Sequence, residues 1–368
     1  MNSQASISSV FQKLAKLWLG FLLIMGLFSP ILVNEVPIIE IRNQKWKVPI
    51  LNKKSYFLAD TIVSPPEFVI HPLFRFQSGI QLGQTLKSPT YQFWMGTDGY
   101  GRDLRAIFIT GSGTTLFIAI SSVLLSLIIA LFLGLLSGFY GNSRFHYPKW
   151  GLVILLAVGI VGYYFLVASP YFNFQYGSYY WLLLMVALSW IVSKLKWKRL
   201  VLPIDDLVRY LLGVHQSLPG LLWIFLALLV FTKVSILTLV LLLAFLRWPG
   251  MTRLIRGETR RTANLPYLEA AKMSGLSDMR LMLGHIIPNL RDQIFTGIIF
   301  SLGNVIILEA GLSFLGLGLA PDVATWGNLI AQSREYPTAW WLVIWPGLFI
   351  SITVMSLYAL TKNDPILE

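Results

Sequence analysis

The chain contains no cysteine and few charged side chains. Zero cysteines exclude a disulfide framework, a thiolate metal site and a cysteine nucleophile. Charged residues make up 12% of the chain, against about 25% in an ordinary soluble domain. The four histidines, His71, His146, His215 and His285, are scattered and do not form the HExxH spacing of a metal hydrolase. These shortages exclude a disordered chain, a coiled coil and an ordinary cytosolic enzyme.

Long apolar runs take the place of the missing charge. Hydrophobic residues make up 55% of the 368 residues, and they concentrate in eight runs. The runs are 17–33, 114–140, 151–168, 179–192, 218–231, 234–248, 293–308 and 340–360. Several are shorter than the ~20 residues that a helix needs to cross a bilayer, so their ends must extend into flanking residues. The sequence therefore predicts an all-α polytopic membrane protein. Its first run lacks an A-x-A-like cleavage site, which favours an uncleaved span over a signal peptide.

Lysine and arginine are distributed unevenly between the loops. The inner loop between the sixth and seventh runs holds seven of them, whereas the short outer loops hold only Lys233 and Arg334. By the positive-inside rule, this bias places both termini in the cytosol. The segment after the first run is also basic, but it is about 80 residues long, and segments beyond ~60 residues cross largely regardless of charge. The net charge of +12 therefore reports orientation and not a nucleic-acid partner.

Small residues recur every four positions in the second run. Ser122, Ser126, Ala130, Gly134 and Gly138 share one helix face. Such a face lets another helix approach closely, which predicts packing within the bundle. A substrate path along this face is the second interpretation.

The inner loop 249–291 is longer than the other inner loops, and long loops in compact proteins are often functional. Its pattern predicts two short helices. Asn264 and Pro266 suit the start of the first helix, and Gly275 suits its left-handed end. Ser277 suits the start of the second helix, and Pro288 suits its end.

The first of these helices, 266–274, carries Glu269, Ala270 and Ala271. Two adjacent alanines give a slim surface that can enter a groove, and the carboxylate offers a partner a charge to bind. The residues alone leave two interpretations open, a docking element and a plain amphipathic surface loop.

A cluster of turn-forming residues lies just before the second run. Its candidate site positions are Gly96, Asp98, Gly101, Arg102 and Asp103. Asp-Gly and Gly favour a structural turn at the outer membrane surface, and docking of an external protein is the alternative. A Ca²⁺ loop is disfavoured because oxygen ligands at alternate positions are missing.

Glu309 is the one carboxylate at the end of an apolar run. Ionisable residues inside a membrane are functional candidates by default, which makes Glu309 a candidate polar site. The alternative is a residue at the outer interface that bonds to Asn304 or Ser313.

Two further groups of residues receive structural interpretations. Asp205 and Asp206 lie where a helix is predicted to start, and we expect them to stabilise its dipole. Trp340, Trp341 and Trp345 are expected to form an interfacial aromatic belt.

The segment EAAKMSGLSDMRLMLGHIIPN, residues 269–289, resembles the EAA loop of ABC importer permeases. In that family EAA-x-x-x-Gly is followed by an apolar-Pro ending. The matching residues here are Glu269, Ala270, Ala271, Gly275 and Pro288. The resemblance implies that this helix couples the permease to its ATPase.

Three other stretches resemble the dipeptide and oligopeptide branch of that family. They are MGTDGYGRDL before the second run, TRLIRGETRR after Trp-Pro-Gly, and EAGLSFLGLGLAPDVATWGN between the last two runs. Their order and predicted sides match the C-type permease subunit, and the resemblance covers residues 96–141 and 218–360. Arg247 departs from the pattern, since a small residue is more usual there.

The resemblance implies a type I ABC importer transmembrane fold with six core spans. Two extra runs then form a helical pair inserted at about 145–199, which preserves the sidedness of everything downstream. The expected domains are an N-terminal span with an extracytoplasmic segment, residues 1–113, and a permease domain, residues 114–361.

The resemblance also implies a permease subunit in the bacterial inner membrane that is not an enzyme and holds no cofactor. Its implied partners are a second permease subunit, two cytosolic ATPase subunits that use ATP and Mg²⁺, an extracytoplasmic substrate-binding protein and membrane lipid, with no nucleic acid. The sequence has no GxxxxGK[ST] phosphate loop, so another chain must bind the nucleotide.

Short peptides are the implied cargo, and nickel or sugar-peptide cargo stays open. Two rival classes make different demands on the sequence. An ion-coupled secondary transporter calls for an internal repeat and ionisable residues at the membrane midplane. An integral membrane transferase calls for clustered His, Asp or Glu near one interface. The sequence favours neither.

Overall fold

The computed structural model describes most of the chain outside two long stretches. The described residues are 2–34, 36–42, 45–48, 68–72, 74–75, 85–141, 146–147, 200–201, 203–230 and 234–362.

Helices account for most of the described residues. They are α1 (Asn2–Leu32), α2 (Leu104–Tyr140), α3 (Ile204–Ser217), α4 (Gly220–Val230), α5 (Ile236–Ala263), α6 (Pro266–Met273), α7 (Asp278–Leu281), α8 (Ile287–Asn289), α9 (Arg291–Phe314), α10 (Trp326–Gln332) and α11 (Trp341–Ala359). A π-helical turn, Met282–Ile286, joins α7 to α8, and a 3₁₀ turn, Leu360–Lys362, follows α11.

The strands are short. They are β1 (Val33–Asn34), β2 (Ile39–Arg42), β3 (Lys45–Lys47), β4 (Phe68–Ile70), β5 (Phe74–Arg75), β6 (His146–Tyr147) and β7 (Leu200–Val201).

Five described helices are long and apolar enough to cross a membrane: α1, α2, α5, α9 and α11. A sixth span is counted if α3 and α4 are taken together as one bent pair, because the 11 residues of α4 are too few alone. Six of the eight predicted runs therefore coincide with helices, which confirms the polytopic helical fold. The other two runs, 151–168 and 179–192, and with them the proposed inserted pair, lie outside the described residues.

The chain forms two compact units. The first comprises Met1–Ala130, Leu218–Leu254 and Arg291–Glu368, and the second comprises Leu131–Ser217 and Ile255–Leu290. The core of the first unit is apolar and gathers buried residues from α1, α2, α5, α9 and α11 around Trp326 and Phe108. An apolar interior between long helices is what the composition of the runs predicts.

In the second unit, the small-residue face of α2 packs against α5. A Cβ added to Gly134 would lie 2.8 Å from Ile255 Cγ2, and one added to Gly138 would lie 2.6 Å from Thr259 Cβ. The two helices therefore approach so closely that only glycine fits at these positions. This confirms the packing interpretation of the stripe.

The predicted start of the inner loop at Pro249 is wrong. Helix α5 continues through Pro249 to Ala263, so the loop begins about fifteen residues later. Proline removes one backbone donor, and helix α5 continues past it without ending.

The segment after α1 adds β-structure that the sequence did not predict. β1 pairs in parallel with β5, and β2 lies between β3 and β4 in an antiparallel three-stranded sheet. This structure lies outside the helical spans, so the membrane part of the described chain is helical as predicted.

Candidate functional site

Helix α6 is exposed on almost every side. Leu268 is its only buried residue, at 4% exposure, whereas Glu269 and Ala270 are exposed and Ala271 is half-buried. Pro266 occupies the first helical turn, where its missing N–H costs nothing. The first turn also carries the Glu269 carboxylate, which favours the positive end of the helix dipole.

The predicted N-cap at Asn264 is wrong. Leu265 occupies the N-cap position with no side-chain bond, and the Asn264 amide instead donates to the carbonyl of Arg260 at 3.0 Å. Asn264 therefore serves the end of α5 and not the start of α6, because the connection between the two helices is only two residues long.

Gly275 ends α6 in the left-handed conformation, with φ of +84°. The Leu276 amide donates to the Ala271 carbonyl at 3.4 Å, and the Gly275 amide donates to the Lys272 carbonyl at 3.1 Å. These two bonds form a Schellman motif, which satisfies the last carbonyls of the helix. The sequence pattern identified this end of the helix, and only glycine adopts the conformation without strain.

The chain then turns back through α7 and the π-helical turn. Ser277 occupies the N-cap of α7 but makes no side-chain cap bond. Pro288 lies in the single turn of α8, where its ring would crowd the carbonyl four residues earlier in a regular helix. The wider π turn at Met282–Ile286 relieves that crowding.

One side of this loop is fixed to the rest of the second unit. Its buried apolar residues are Leu268, Leu281, Met282, Ile286 and Leu290. Asn289 bonds to the Tyr267 hydroxyl, which connects α8 back to α6. The Tyr140 side chain at the end of α2 also bonds to the Asp278 carboxylate. The loop is thus a rigid support for α6, whose opposite surface is left open.

A buried carboxylate that sequence reasoning undervalued holds the base of α5. Asp205 lies in the first turn of α3, as expected for a dipole-stabilising residue, but it is only 4% exposed. Arg256 donates to it twice, with Nε–Oδ1 of 2.5 Å and Nη2–Oδ2 of 2.9 Å. Arg209 and Arg260 lie 3.4 and 3.7 Å from the same carboxylate. The ion pair joins two helices 51 residues apart in sequence, and no local pattern reveals such a partner.

The segment before α2 folds into a tight turn. The backbones of Thr97 and Asp103 form an isolated antiparallel β-bridge. Gly96 and Gly101 take positive φ values of +84° and +78°. The Asp98 carboxylate accepts bonds from Arg102 Nε at 2.8 Å and from the backbone amides of Tyr100 and Arg102. Asp103 pairs with Arg105 at 2.5 Å.

This turn is fixed from behind. The Gly99 amide donates to Gln332 Oε1 at 3.1 Å, and the Trp341 indole donates to the Thr97 carbonyl at 2.9 Å. Asp98 is 0% and Arg102 5% exposed, so neither can contact an external protein while the turn is intact. Trp341 is buried as well, at 6%, and its placement in an interfacial belt was wrong. The Trp341 indole makes its hydrogen bond inside the protein and not at a membrane surface.

Glu309 is buried in α9. Its Oε1 accepts a bond from the Ser313 hydroxyl at 3.2 Å, one of the two predicted partners, whereas Asn304 donates to the Phe300 carbonyl. Its Oε2 has no hydrogen-bond partner among the described residues, and the Thr325 hydroxyl lies nearby. The carboxyl group therefore faces the start of α10, where Thr325 accepts a bond from the Asn328 amide at 3.0 Å.

The half-buried Arg247 in α5 has a buried Nε without a hydrogen-bond partner in the described part of the chain. Within that same part, no group of three His, Cys, Asp or Glu residues is placed to hold a metal ion.

The described part of the chain thus combines long apolar helices with an exposed short helix on a fixed loop. Residues 185–363 match the family model of the binding-protein-dependent transport system inner membrane component. Over this part of its length the chain is therefore similar to the inner membrane components of binding-protein-dependent transport systems.

Relatives of the chain are similar to it over different lengths. The chain is 27% identical over 267 residues to the di/tripeptide transport system permease protein DppC of Pseudomonas aeruginosa (strain UCBPP-PA14), covering 72% of this chain and 68% of that protein. It is 23% identical over 271 residues to the oligopeptide transport system permease protein OppC of Bacillus subtilis (strain 168). This match covers 73% of this chain and 69% of that protein. A putative peptide transport system permease of Brucella suis is 36% identical over 110 residues, covering 30% of this chain and 37% of that protein.

Proposed function

We propose that this chain is the C-type permease subunit of an ATP-driven importer of short peptides. With a second permease subunit it forms the translocation path, an extracytoplasmic binding protein delivers the cargo, and two cytosolic ATPase subunits drive the transport. The names of the similar di/tripeptide and oligopeptide permeases support the choice of cargo. The proposed permease domain is 114–361, preceded by the N-terminal span and extracytoplasmic segment 1–113.

The proposed coupling element is α6 with its Gly275 end and the Pro288 turn. Its exposure is the observation that carries the proposal, because only Leu268 of this helix is buried within the chain. A short helix with free sides, held at its base by packed apolar residues, transmits a push as a rigid body. Glu269 and Ala270 face outward, where a groove on an ATPase can receive them.

The chain itself binds no nucleotide under this proposal. Its sequence lacks a GxxxxGK[ST] loop, so ATP and Mg²⁺ belong to the partner ATPases. Both termini lie in the cytosol of a bacterial cell, since the lysine and arginine bias puts the α6 loop there. The turn at Gly96–Asp103 and the Glu309 carboxyl group then belong to the outer half and position α10 and α11.

The test compares two alanine-to-tryptophan substitutions. Ala270→Trp places an indole on the exposed face of α6, and overpacking of a close-fitting groove costs about 1–3 kcal/mol. We expect ATPase co-purification and peptide-stimulated ATP hydrolysis by the reassembled complex to fall about tenfold or more. Ala320→Trp is the control, because Ala320 is also an exposed alanine and lies in the loop between α9 and α10.

The control should assemble and hydrolyse ATP normally. Both variants should insert in the membrane, because neither changes a span. Normal ATPase binding and coupling in Ala270→Trp would show that α6 is an ordinary surface helix and not a docking element.

A further inference from the structure

The three-stranded sheet after α1 has one face made of apolar side chains. Residues directly opposite each other in antiparallel strands point to the same face. Ile41 lies opposite Trp46 on one side and Phe68 on the other, and Ile39 lies opposite Ile70. We call this set, Ile39, Ile41, Trp46, Phe68 and Ile70, the apolar sheet face.

The apolar sheet face is open. Trp46 is 70%, Phe68 51% and Ile70 40% exposed. Glu40, which lies between Ile39 and Ile41 in β2, points to the other face of the sheet and is completely buried. The usual pattern of a half-buried sheet is thus inverted, with a carboxylate inside and large apolar side chains outside. Contiguous exposed apolar surface of this kind marks a site of interaction with a protein or a membrane.

The sheet is attached to the membrane at two points. β1 continues directly from α1, and β2 begins five residues after β1 ends. β4 ends four residues before β5, which pairs with β1. An extended chain covers at most ~3.6 Å per residue, so both connections keep the sheet within about 18 Å of the end of a membrane span. The headgroup layer next to that end is itself about 5–8 Å thick.

We propose that the apolar sheet face rests on the phospholipid headgroup layer, on the side of the membrane where α1 ends. Trp46 has an amphipathic ring of the kind that concentrates at membrane interfaces. The sheet is therefore a monotopic anchor that fixes the segment between α1 and α2 against the bilayer.

The absence of cysteine allows a direct test. Trp46→Cys and Phe68→Cys each give a single reactive thiol on the apolar sheet face, and a bimane fluorophore reports its surroundings. Tyr91→Cys is the control, because Tyr91 is 94% exposed and lies outside the sheet. The full importer is reconstituted in vesicles of phosphatidylethanolamine and phosphatidylglycerol, with either a nitroxide-labelled lipid or aqueous iodide as quencher.

We expect the lipid nitroxide to quench the labels at 46 and 68 several-fold more strongly than the label at 91, with iodide showing the reverse order. Equal quenching by iodide at all three positions would overturn the proposal, because the face would be in water. Protection of 46 and 68 from both quenchers would also overturn it, because another protein subunit would then cover the face. The test does not depend on cargo or ATP, so it stands apart from the proposed transport function.

Discussion

At the scale of single residues, the fold depends on a few buried charges with close partners. Asp98 and Arg102 pair with each other inside the turn before α2, and Asp205 and Arg256 pair inside the second unit. Burying one charge costs several kcal/mol, and only good geometry with further hydrogen bonds offsets that cost. Only 12% of the residues in this chain are charged. These ion pairs therefore hold particular segments together and do not serve general solubility.

The Asp205 pair gives the first prediction at this scale. Asp205→Asn should lower the free energy of unfolding by about 3 kcal/mol, because it leaves Arg256 without its counter-charge in a mostly buried site. Asp206→Asn is the matched control on the next residue. Its carboxylate is 54% exposed and pairs with Arg209, itself 53% exposed, so we expect about 0–1 kcal/mol. Thermal unfolding in detergent measures both, and equal effects would contradict the role assigned to Asp205.

At the scale of helices, the contact between α2 and α5 depends on the absence of side chains. Gly134 and Gly138 bring the α2 backbone against Ile255 and Thr259. Without a hydrophobic force between helices in lipid, such van der Waals contact is a main source of association. Helix α5 continues to Ala263 and leads into α6, so this packing also sets where the exposed α6 begins.

Two glycine-to-alanine substitutions should change the stability of the protein in opposite directions. Gly138→Ala puts a Cβ 2.6 Å from Thr259 and 2.8 Å from the Arg256 carbonyl, which should destabilise by about 1–3 kcal/mol. Gly213→Ala in α3 meets nothing within 4 Å, so the higher helix propensity of alanine should stabilise by about 0.5–1 kcal/mol. Melting temperatures of the two purified variants would settle this, and a stabilised Gly138→Ala protein would refute the close approach.

At the scale of the whole molecule, the connections between spans decide function, because α6 can meet a cytosolic ATPase only if its loop faces inward. The lysine and arginine bias predicts eight spans with both termini inside. The extra pair between residues 145 and 199 must then cross the membrane twice, or every later loop changes sides.

Reporter fusions test that arrangement. A phosphatase fusion after Tyr171 should be active, because this enzyme folds only outside the cytosol, and one after Lys198 should be inactive. A fluorescent-protein fusion at the same two points should give the opposite pattern. An inactive phosphatase after Tyr171 would mean that the extra segment does not form a transmembrane hairpin.

The sequence predicted those features that depend on neighbouring residues. The apolar runs set the spans because a helix in lipid must be apolar over its whole length. Gly275 predicted the end of α6 because its left-handed conformation is a local property. The packing of the α2 stripe was predicted from its four-residue repeat for the same reason.

Features that depend on distant partners were missed or wrong. Trp341 was placed in an interfacial belt, but its indole bonds to Thr97, 244 residues away. The sequence predicts only a dipole role for Asp205, because Arg256 lies 51 residues further along. The sheet after α1 joins strands from separated short segments, and pairs such as Ile39 with Ile70 are set by tertiary contact.

The entry and exit of the extra segment lie side by side. β6 pairs with β7, and the Asp205 amide donates to the Gly141 carbonyl at 3.4 Å. A segment whose two ends meet in this way adds little closure entropy to its host, whatever its length. The position between Gly141 and Asp205 is therefore suited to an inserted or replaced segment. We expect the helices on either side to tolerate replacement of residues 148–199 by a sensor or an affinity handle.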